Sequence, residues 1–300
     1  MQDSIKKLNP FVISPLALGY ITMGCVLLIW SGFSLTVRAV GASPLTIADV
    51  ALIRFSVPLI LLIPFIFKHI EKIKEVKMSD ILFILLGGIP FLFFAFLGAK
   101  SAPTAYVGTI LAGTPPFFVA ILSYLFYSQK ISKKRLFSLS LILIGVLAMI
   151  IGSKNNLSNS LIEGIGFLIC GSIVWATYTI GLKRAGINAI TVAIILSYFS
   201  FFITLGLTLS GVLDSNWGEF TVQEELPFIL VQGLGVGFLA TIGFSYAVNL
   251  LGSERSSIMG ALSPGITALL AVPIFNEALS LSIICGIALT ITGVILSNRH

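Results

Sequence analysis

The sequence has little charge. Only 10% of its 300 residues are charged, whereas a soluble domain carries about 25%. Hydrophobic residues make up 57% of the chain and the mean hydropathy is +1.06. So few charges cannot cover a surface that faces water. The composition therefore predicts an integral membrane protein.

The groups that usually carry catalysis are also scarce. The two histidines are His69 and His300, and the three cysteines lie in apolar runs without metal-ligand spacing. A membrane-embedded enzyme needs clustered acids, histidines or a metal site, and we find none in the sequence. We therefore expect no metal, no cofactor and no enzymatic activity. The net charge of +6 is assigned to loops that set membrane orientation, so we expect no nucleic-acid partner.

Long apolar runs make up most of the chain. A helix needs about 20 apolar residues to cross the hydrocarbon core of a bilayer. The runs predict an all-α membrane protein with ten transmembrane helices, called spans 1 to 10. Their predicted bounds are 14–37, 45–67, 80–98, 104–127, 135–152, 161–182, 188–212, 227–249, 256–275 and 279–297.

The basic residues fall mostly on one side of these spans. With the N-terminus in the cytoplasm, only Arg38, Lys100 and Lys154 of the 18 basic residues lie on the outer side, and Arg54 lies inside a span. Cytoplasmic loops carry an excess of lysine and arginine. The bias predicts a multi-pass protein of the inner or plasma membrane with both termini in the cytoplasm.

The two halves of the chain repeat each other. A shift of 145 residues places Gly19 on Gly164 and Trp30 on Trp175, and a shift of 148 places Pro116 on Pro264. We therefore predict two five-helix repeats, residues 1–152 and 153–300. Five is an odd number, so the second repeat is expected to be inverted in the membrane. The loop charges agree, because the basic loop 130–135 matches an uncharged loop, 278–283.

An inverted repeat is typical of secondary transporters, in which two related bundles expose a midplane site to each side in turn. The glycine-rich "GLGVG" of residues 233–237 has the look of a phosphate loop. It lies in an apolar span and lacks a fitting third glycine, so we interpret it as a close helix-packing surface. Without a nucleotide-binding domain, energy is expected to come from a gradient.

Prolines interrupt the equivalent spans 4 and 9 at Pro116 and Pro264. A membrane helix tolerates proline where neighbouring groups or a water-lined cavity satisfy the freed carbonyl. One interpretation is a pair of hinges at a cavity, and the other is a bend needed only for packing.

Arg54 is the one basic residue inside a predicted span, about 13 Å deep at 1.5 Å per residue. A central arginine costs about 2.5–3.5 kcal/mol to insert, so it is expected to face the bundle interior. It is interpreted as an anion clamp or gate partner, or as a structural tie to helix-end carbonyls. Asp49, near the outer end of the same span, is expected to be a solvated carboxylate rather than a proton site.

Aromatic and amide groups complete the candidate substrate site. The repeat places Trp30 and Trp175 at equivalent positions, and Tyr178, Tyr246 and Asn249 add polar tips. Packing and interfacial belts are the alternative interpretation of such residues. The predicted substrate-binding set is Trp30, Arg54, Trp175, Tyr178, Tyr246 and Asn249, with Pro116 and Pro264 as hinges.

These features together resemble the drug/metabolite transporter superfamily, and its EamA family in particular. The resemblance rests on "IWSGFSLTVR" (29–38), the arginine in span 2, "GTPPFFVAILSYLFYSQKIS" (113–132) and "ALSPGITALLAVPIFNEALS" (261–280). It differs from the family pattern at Ser31, Phe33 and Gln129, although Glu277 retains the acid that Gln129 lacks. The resemblance implies metabolite movement, often export of amino acids, through a cavity lined by spans 1, 3, 4, 6, 8 and 9.

We therefore expect a secondary transporter, and an exporter in particular, that moves small metabolites such as amino acids by alternating access. Its partners are expected to be a small-molecule substrate, membrane lipid and a proton or counter-substrate. A facilitative multidrug or solute permease, or a channel, is the alternative, and an intramembrane enzyme is a weaker one. The sequence sets neither the substrate nor the oligomeric state.

Overall fold

The computed structural model describes residues 14–152 and 158–298, apart from the side chains of Ser253, Glu254, Ser257 and Asn298. All secondary structure in the described ranges is helical, which confirms the all-α prediction. Lys154, used above for orientation, lies outside the described residues, as does the predicted boundary between the repeats.

The first half contains eight α-helices. They are α1 (Pro15–Ala39), α2 (Ile47–Leu61), α3 (Ile63–Glu75), α4 (Met78–Leu85), α5 (Ile89–Ser101), α6 (Thr104–Gly113), α7 (Pro115–Tyr127) and α8 (Lys133–Gly152), with a short 3₁₀ turn at Val40–Ala42.

The second half contains seven more α-helices and a π-helical segment. They are α9 (Asn159–Ala185), α10 (Ala189–Leu209), α11 (Val222–Phe228), the π segment (Ile229–Leu239), α12 (Ala240–Leu251), α13 (Ser253–Gly260), α14 (Ser263–Phe275) and α15 (Leu281–Asn298). The π segment continues α11 into α12 without a break.

Eight helical stretches in the described ranges are long and apolar enough to cross a membrane. Four of them join successive α-helices: α4–α5, α6–α7, α11 to α12 through the π segment, and the end of α13 with α14. Spans 2 and 10 are the two predicted spans outside this set. Span 2 corresponds to α2 and α3, which meet at a bend of 91°, and span 10 to the shorter apolar stretch Leu281–Ser297. Ten spans therefore remain a prediction.

The bend after α2 corrects two features of the sequence interpretation. Span 2 does not continue straight to residue 67, because α2 ends at Leu61 and Pro64 opens the next helix. The stretch 68–75, predicted as part of a loop, is helical. In α3 the apolar Ile66, Ile70 and Ile73 recur at helical spacing among basic residues, so the helix is amphipathic. Such a helix suits a membrane–water interface.

Prolines begin the second segments of the broken helices rather than interrupting a continuous one. Pro90, Pro116 and Pro264 each lie in the first two positions of α5, α7 and α14. Proline is tolerated there because the first amide groups of a helix have no intrahelical acceptor. At these three positions the cost of proline in a helix interior is largely avoided, whereas Pro58, Pro227 and Pro273 lie inside helices.

Helix pairing is the same in both halves when the repeats are exchanged. α1 packs on α12 as α9 packs on α5, and α2 packs on the π segment as α10 packs on α4. The pairs α2–α10 and α8–α15 join equivalent helices.

Glycines at the contact between α8 and α15 show the same equivalence of the two halves in individual atomic contacts. A Cβ on Gly145 would lie 2.6 Å from the carbonyl oxygen of Gly286, and one on Gly293 would lie 2.7 Å from that of Ser138. Gly293 and Gly286 are the repeat equivalents of Gly145 and Ser138. The two halves therefore pack through equivalent contacts, whereas the inversion of the second repeat across the membrane stays a prediction.

A candidate substrate cavity between the two repeats

A cavity of about 430 Å³ lies between the two halves of the molecule. Helices from both repeats supply its walls, and its size is within the usual range for small-molecule sites. Its lining residues are Trp30, Phe33, Ser34, Arg54, Phe91, Leu111, Ala112, Pro115, Pro116, Val119, Arg135, Trp175, Thr179, Val236, Phe244, Ser256, Gly260, Ala261, Ser263, Val294 and Ser297.

The helix breaks at the prolines open directly onto this cavity. A proline cannot donate to the carbonyl four residues earlier. For Pro115 and Pro116 those carbonyls belong to Leu111 and Ala112, and for Pro264 to Gly260; all three residues line the cavity. Non-helical backbone at membrane depth is tolerated where it borders a water-filled cavity. The breaks therefore lie at the cavity, while the hinge role of Pro116 and Pro264 stays a prediction.

The hydroxyl of Thr114 reinforces the break in the first repeat. It donates to the carbonyl oxygen of Ile110 at 2.8 Å and lies 2.6 Å from the Ser172 hydroxyl on α9. The broken helix is thereby tied to the first helix of the other repeat.

Arg54 lies in the middle of α2 and is only 6% exposed, as expected for an inward-facing arginine. Its Nη1 donates to Oε1 of Gln232 at 2.7 Å. Gln232 is fully buried, and its Nε2 donates to Oγ1 of Thr36 at 2.7 Å. This second bond fixes the amide so that its oxygen faces the guanidinium. The partner of Arg54 is therefore a neutral side chain, rather than the helix-end carbonyls considered above.

Small residues allow Gln232 to reach α2. Gly233 and Gly237 follow it on the π segment, where a Cβ would lie 3.1 Å from the carbonyl oxygen of Ile53 and 2.9 Å from that of Arg54, respectively. The two backbones therefore touch, which confirms the packing interpretation of "GLGVG". Single-turn π insertions are often found at functional sites, and this longer segment carries the partner of Arg54.

Aromatic rings form the walls beside Arg54. Its guanidinium carbon lies 5.2 Å from the centre of the Phe33 ring, close enough for a cation–π interaction. The Phe33 ring stacks on Phe91 at 5.8 Å, and Phe91 contacts Trp175 at 4.7 Å. The rings of Trp30 and Phe244 meet at 5.3 Å. Both tryptophans predicted from the repeat are therefore at the cavity.

The structure does not bring the whole predicted substrate set together. Tyr178 is buried behind Trp175, with ring centres 4.9 Å apart, and it supports the wall without lining the cavity. Tyr246 and Asn249 are exposed and lie outside the lining. Phe244 faces the cavity, and residues two and five positions later point about 200° and 140° away around a helix. We therefore leave Tyr246 and Asn249 out of the candidate site.

A cluster of three residues lies beyond one end of the cavity and includes Arg38, one helical turn after the cavity-lining Ser34 on α1. Oε1 of Glu277 accepts from Nε of Arg38 at 3.3 Å and from Oγ1 of Thr104 at 3.1 Å, and Oε2 accepts from the Thr104 amide at 2.7 Å. Nη1 of Arg38 also donates to the carbonyl oxygen of Ala99 at 2.9 Å. We call Arg38, Thr104 and Glu277 the Glu277 cluster. It joins α1, α6 and the end of α14.

The other end of the cavity is formed by Arg135, Ser256 and Ser297. Ser256 and Glu277 lie just before and just after the candidate span Ile258–Phe275, so the two groups are at opposite ends of that span. Arg135 is partly buried, and its Nε has no hydrogen-bond partner in the described part of the chain.

Asp49 is not the solvated carboxylate expected from the sequence. It is fully buried and forms a capping box with Thr46 at the start of α2. It also accepts from the Ser215 hydroxyl and from the Asn216 amide, the latter at 3.1 Å. The expectation failed because the loop after α10 folds over this helix end. Asp49 therefore holds a loop and does not belong to the cavity.

Several site residues were missed by the sequence interpretation. Gln232 carries a signal that could have found it, because a polar residue inside a span is a functional candidate by default. Phe91 and Phe244 carry none, since they are two among 23 phenylalanines. Arg135 was assigned only to a basic loop.

Comparison with known proteins gives a consistent result. The model of the EamA-like transporter family matches the chain twice, at residues 17–151 and 162–299. "Uncharacterized transporter sll1319" of Synechocystis sp. is 25% identical over 77% of this chain and 71% of its own length. "Uncharacterized transporter YyaM" of Bacillus subtilis is 24% identical over 79% and 81%, respectively.

A solved crystal structure of a protein that is 16% identical superposes with a TM-score of 0.62 over 93% of this chain and 96% of that chain. This likeness shows a shared fold. The family and relatives are transporters by name, which points away from an enzyme. With both halves matched by the family model and several helices apolar enough to span a membrane, the chain is a multi-pass membrane protein that belongs to the EamA-like transporter family.

Proposed function

We propose that this protein is a secondary transporter that exports small metabolites, such as amino acids, across the plasma membrane by alternating access. The observation that carries the proposal is the cavity between the two repeats, which is lined at one end by Arg135 and Ser297 and has the Glu277 cluster beyond its other end. A carrier needs such a site, accessible from one side while the other side is closed.

The pairing of helix ends supports ten spans and an inverted second repeat. With the N-terminus in the cytoplasm, the ten predicted spans put both Arg38 and Glu277 on the outer side, and these two residues form an ion pair at 3.3 Å. The same spans put Arg184 and Asp80 at the cytoplasmic side, and these two form another at 3.0 Å. An error of one span between partners would place them on opposite sides of the bilayer.

The same assignment supports export. Arg135, Ser256 and Ser297 fall at cytoplasmic ends of their spans, so the cavity would receive its substrate from the cytoplasm. Release would require the Glu277 cluster to separate. The repeat equivalents of Arg38 and Glu277 are Lys183 and Gln129, both exposed. The inward-closed state would therefore lack an equivalent ion pair.

Exchange against a counter-substrate is the coupling mode that the cavity favours. Its lining includes no aspartate, glutamate or histidine among the described residues. A proton-coupled carrier usually uses such a group within the membrane. Measuring transport with and without a pH gradient distinguishes proton coupling from simple exchange.

The test is counterflow in proteoliposomes. Ligands found by a thermal-shift screen of amino acids and other metabolites are loaded inside, and uptake of labelled ligand is followed. A carrier gives saturable uptake with a transient overshoot, whereas a channel gives none. Absence of counterflow for every ligand that stabilises the protein would contradict the proposal.

A matched pair of variants links that transport to the cavity. Gly260→Trp would fill space at the lining. Gly166→Trp adds the same side chain at a glycine where a Cβ would have no described atom within 4 Å. We expect the first variant to abolish counterflow and the second to retain it. Equal transport by both would contradict the assignment of the cavity.

A further inference from the structure

The charged residues that line the cavity are all positive. Arg54 and Arg135 are its two charged residues in the described part of the chain, and the remainder are apolar, aromatic or hydroxyl side chains. Neither arginine has an ion-pair partner among the described residues. The described lining therefore carries a formal charge of +2.

Arg54 is held in place by a neutral group. Its hydrogen bond within the described structure goes to Gln232, which leaves its charge unbalanced. A guanidinium has five N–H donors in a planar fork that matches a carboxylate or phosphate. One donor is used by Gln232, so the others remain for a ligand. A buried cation without a counter-charge is unfavourable, and an anionic ligand would remove that penalty.

Arg135 lies at the end of the cavity through which the substrate would enter. Its unpartnered Nε is buried, although the residue as a whole is half-buried. A second cation at that end attracts anions towards Arg54 and repels cations. The two arginines lie on α2 and α8, so this arrangement is created only by the fold.

The rest of the lining determines the body of the ligand. Phe33, Phe91 and Trp175 form a connected aromatic wall beside the guanidinium, and Trp30 with Phe244 forms a second wall. Such walls favour planar or apolar groups. A ligand that satisfies both features has a negative end and an apolar or aromatic body.

We propose that the substrate class of this transporter is small organic anions with an apolar body, with the anionic group bound at Arg54 and Arg135 guarding its entry. The inference rests on the proposed function for its meaning in transport, whereas the binding preference stands on the cavity itself.

The test uses pairs of ligands that differ in charge but hardly in shape. Phenylacetate is compared with phenylacetamide, and indole-3-acetate with indole-3-acetamide, on purified full-length protein in nanodiscs. Binding is followed by isothermal titration calorimetry and by tryptophan fluorescence, since two of the three tryptophans line the cavity. We expect each carboxylate to bind roughly 10- to 100-fold more tightly than its amide, as for a charge-assisted hydrogen bond.

Variants assign the preference to Arg54. Arg54→Gln should reduce the ratio to about one, and Arg54→Lys should retain part of it. The thermal unfolding temperature of each variant shows whether it is folded. Lys100→Gln removes the same charge at a position outside this cavity, so the ratio should not change.

Glu254 is two residues before the cavity-lining Ser256 in the sequence, so its effect on ligand charge preference needs a control variant. Glu254→Gln should leave the carboxylate preference within about twofold of the wild-type value. A preference that arises only in this variant would mean that Glu254 neutralises the arginines, and would overturn the proposal.

The two proposals fail separately. Equal affinity for carboxylate and amide in the wild type, including no binding of either, overturns the anion inference even if other solutes show counterflow. Tight carboxylate binding without counterflow of the same carboxylate contradicts the transporter proposal and leaves the binding preference standing.

Discussion

Replacing Glu277 by glutamine should open the molecule at the end closed by the Glu277 cluster. The substitution removes the charge that Arg38 pairs with at 3.3 Å, but keeps an oxygen that can accept from the Thr104 amide. The side chains of Arg38 and Glu277 are 33% and 16% exposed, so the ion pair is partly screened by solvent. We expect a loss of about 1–2 kcal/mol from the closed state, equivalent to a roughly 5- to 30-fold change in its population relative to the open state.

External labelling of a cavity residue measures that population. In a background with Cys25, Cys170 and Cys285 replaced by alanine, Ala112→Cys places a thiol at the cavity lining. Adding Glu277→Gln should increase its labelling by an impermeant maleimide in intact cells by roughly 5- to 30-fold, provided that the open state is a minor one.

The control is another ion pair between a glutamate and a basic residue, located outside the cavity and the Glu277 cluster. Glu71 pairs with Lys74 at 2.9 Å, and their side chains are 77% and 65% exposed. Glu71→Gln should not change labelling of the cavity thiol. Labelling that is unchanged or lower in Glu277→Gln, in protein that remains folded, would refute the role of the cluster as a closure.

Three further predictions concern packing, capping and bending. Gly145→Val should lower the thermal unfolding temperature and the yield of folded protein, because a Cβ there would lie 2.6 Å from the Gly286 carbonyl oxygen, whereas Gly166→Val, with open space around it, should have little effect. Asp49→Ala should cost about 2–4 kcal/mol of stability, measured by thermal or denaturant unfolding, because it leaves the Asn216 amide and the Thr46 cap without their acceptor; equal stability would contradict its structural role. Pro264→Ala should slow counterflow without lowering stability, because it restores an amide that can bond to the cavity-lining Gly260 carbonyl, while Pro273→Ala, at an exposed position outside the lining, should not.

Hydropathy was sufficient to predict the eight spans that are candidate membrane helices in the structure, and self-similarity was sufficient to predict the two repeats that the family model matches. Span 4 was predicted at 104–127 and the structure has Thr104–Tyr127 as one candidate span, because a polar or glycine-containing turn marks both ends. The bend after Leu61 was missed since apolar residues continue through it into α3. An averaged hydropathy does not record direction, and the Ile63-Pro64 step was the only local signal.

The site was predicted less completely than the fold. Arg54 and the repeated tryptophans could be found because a buried charge and a symmetric aromatic pair are visible in one sequence. The bond from Arg54 to Gln232 spans 178 positions of sequence and depends on the close approach of the π segment to α2. The Glu277 cluster likewise depends on three distant helix ends. Such contacts are set by tertiary packing and leave no local pattern.

The central claim is that the two repeats lie in opposite orientations across the membrane, so that one cavity can serve both sides. Lys72 and Glu219 are exposed residues in equivalent connecting segments of the two repeats. In the cysteine-free background, Lys72→Cys and Glu219→Cys are each treated with an impermeant maleimide before and after permeabilisation of cells. The account predicts that the thiol at 219 reacts in intact cells and the thiol at 72 only after permeabilisation. Reaction of both thiols from the same side would contradict the inverted arrangement and, with it, the alternating-access mechanism.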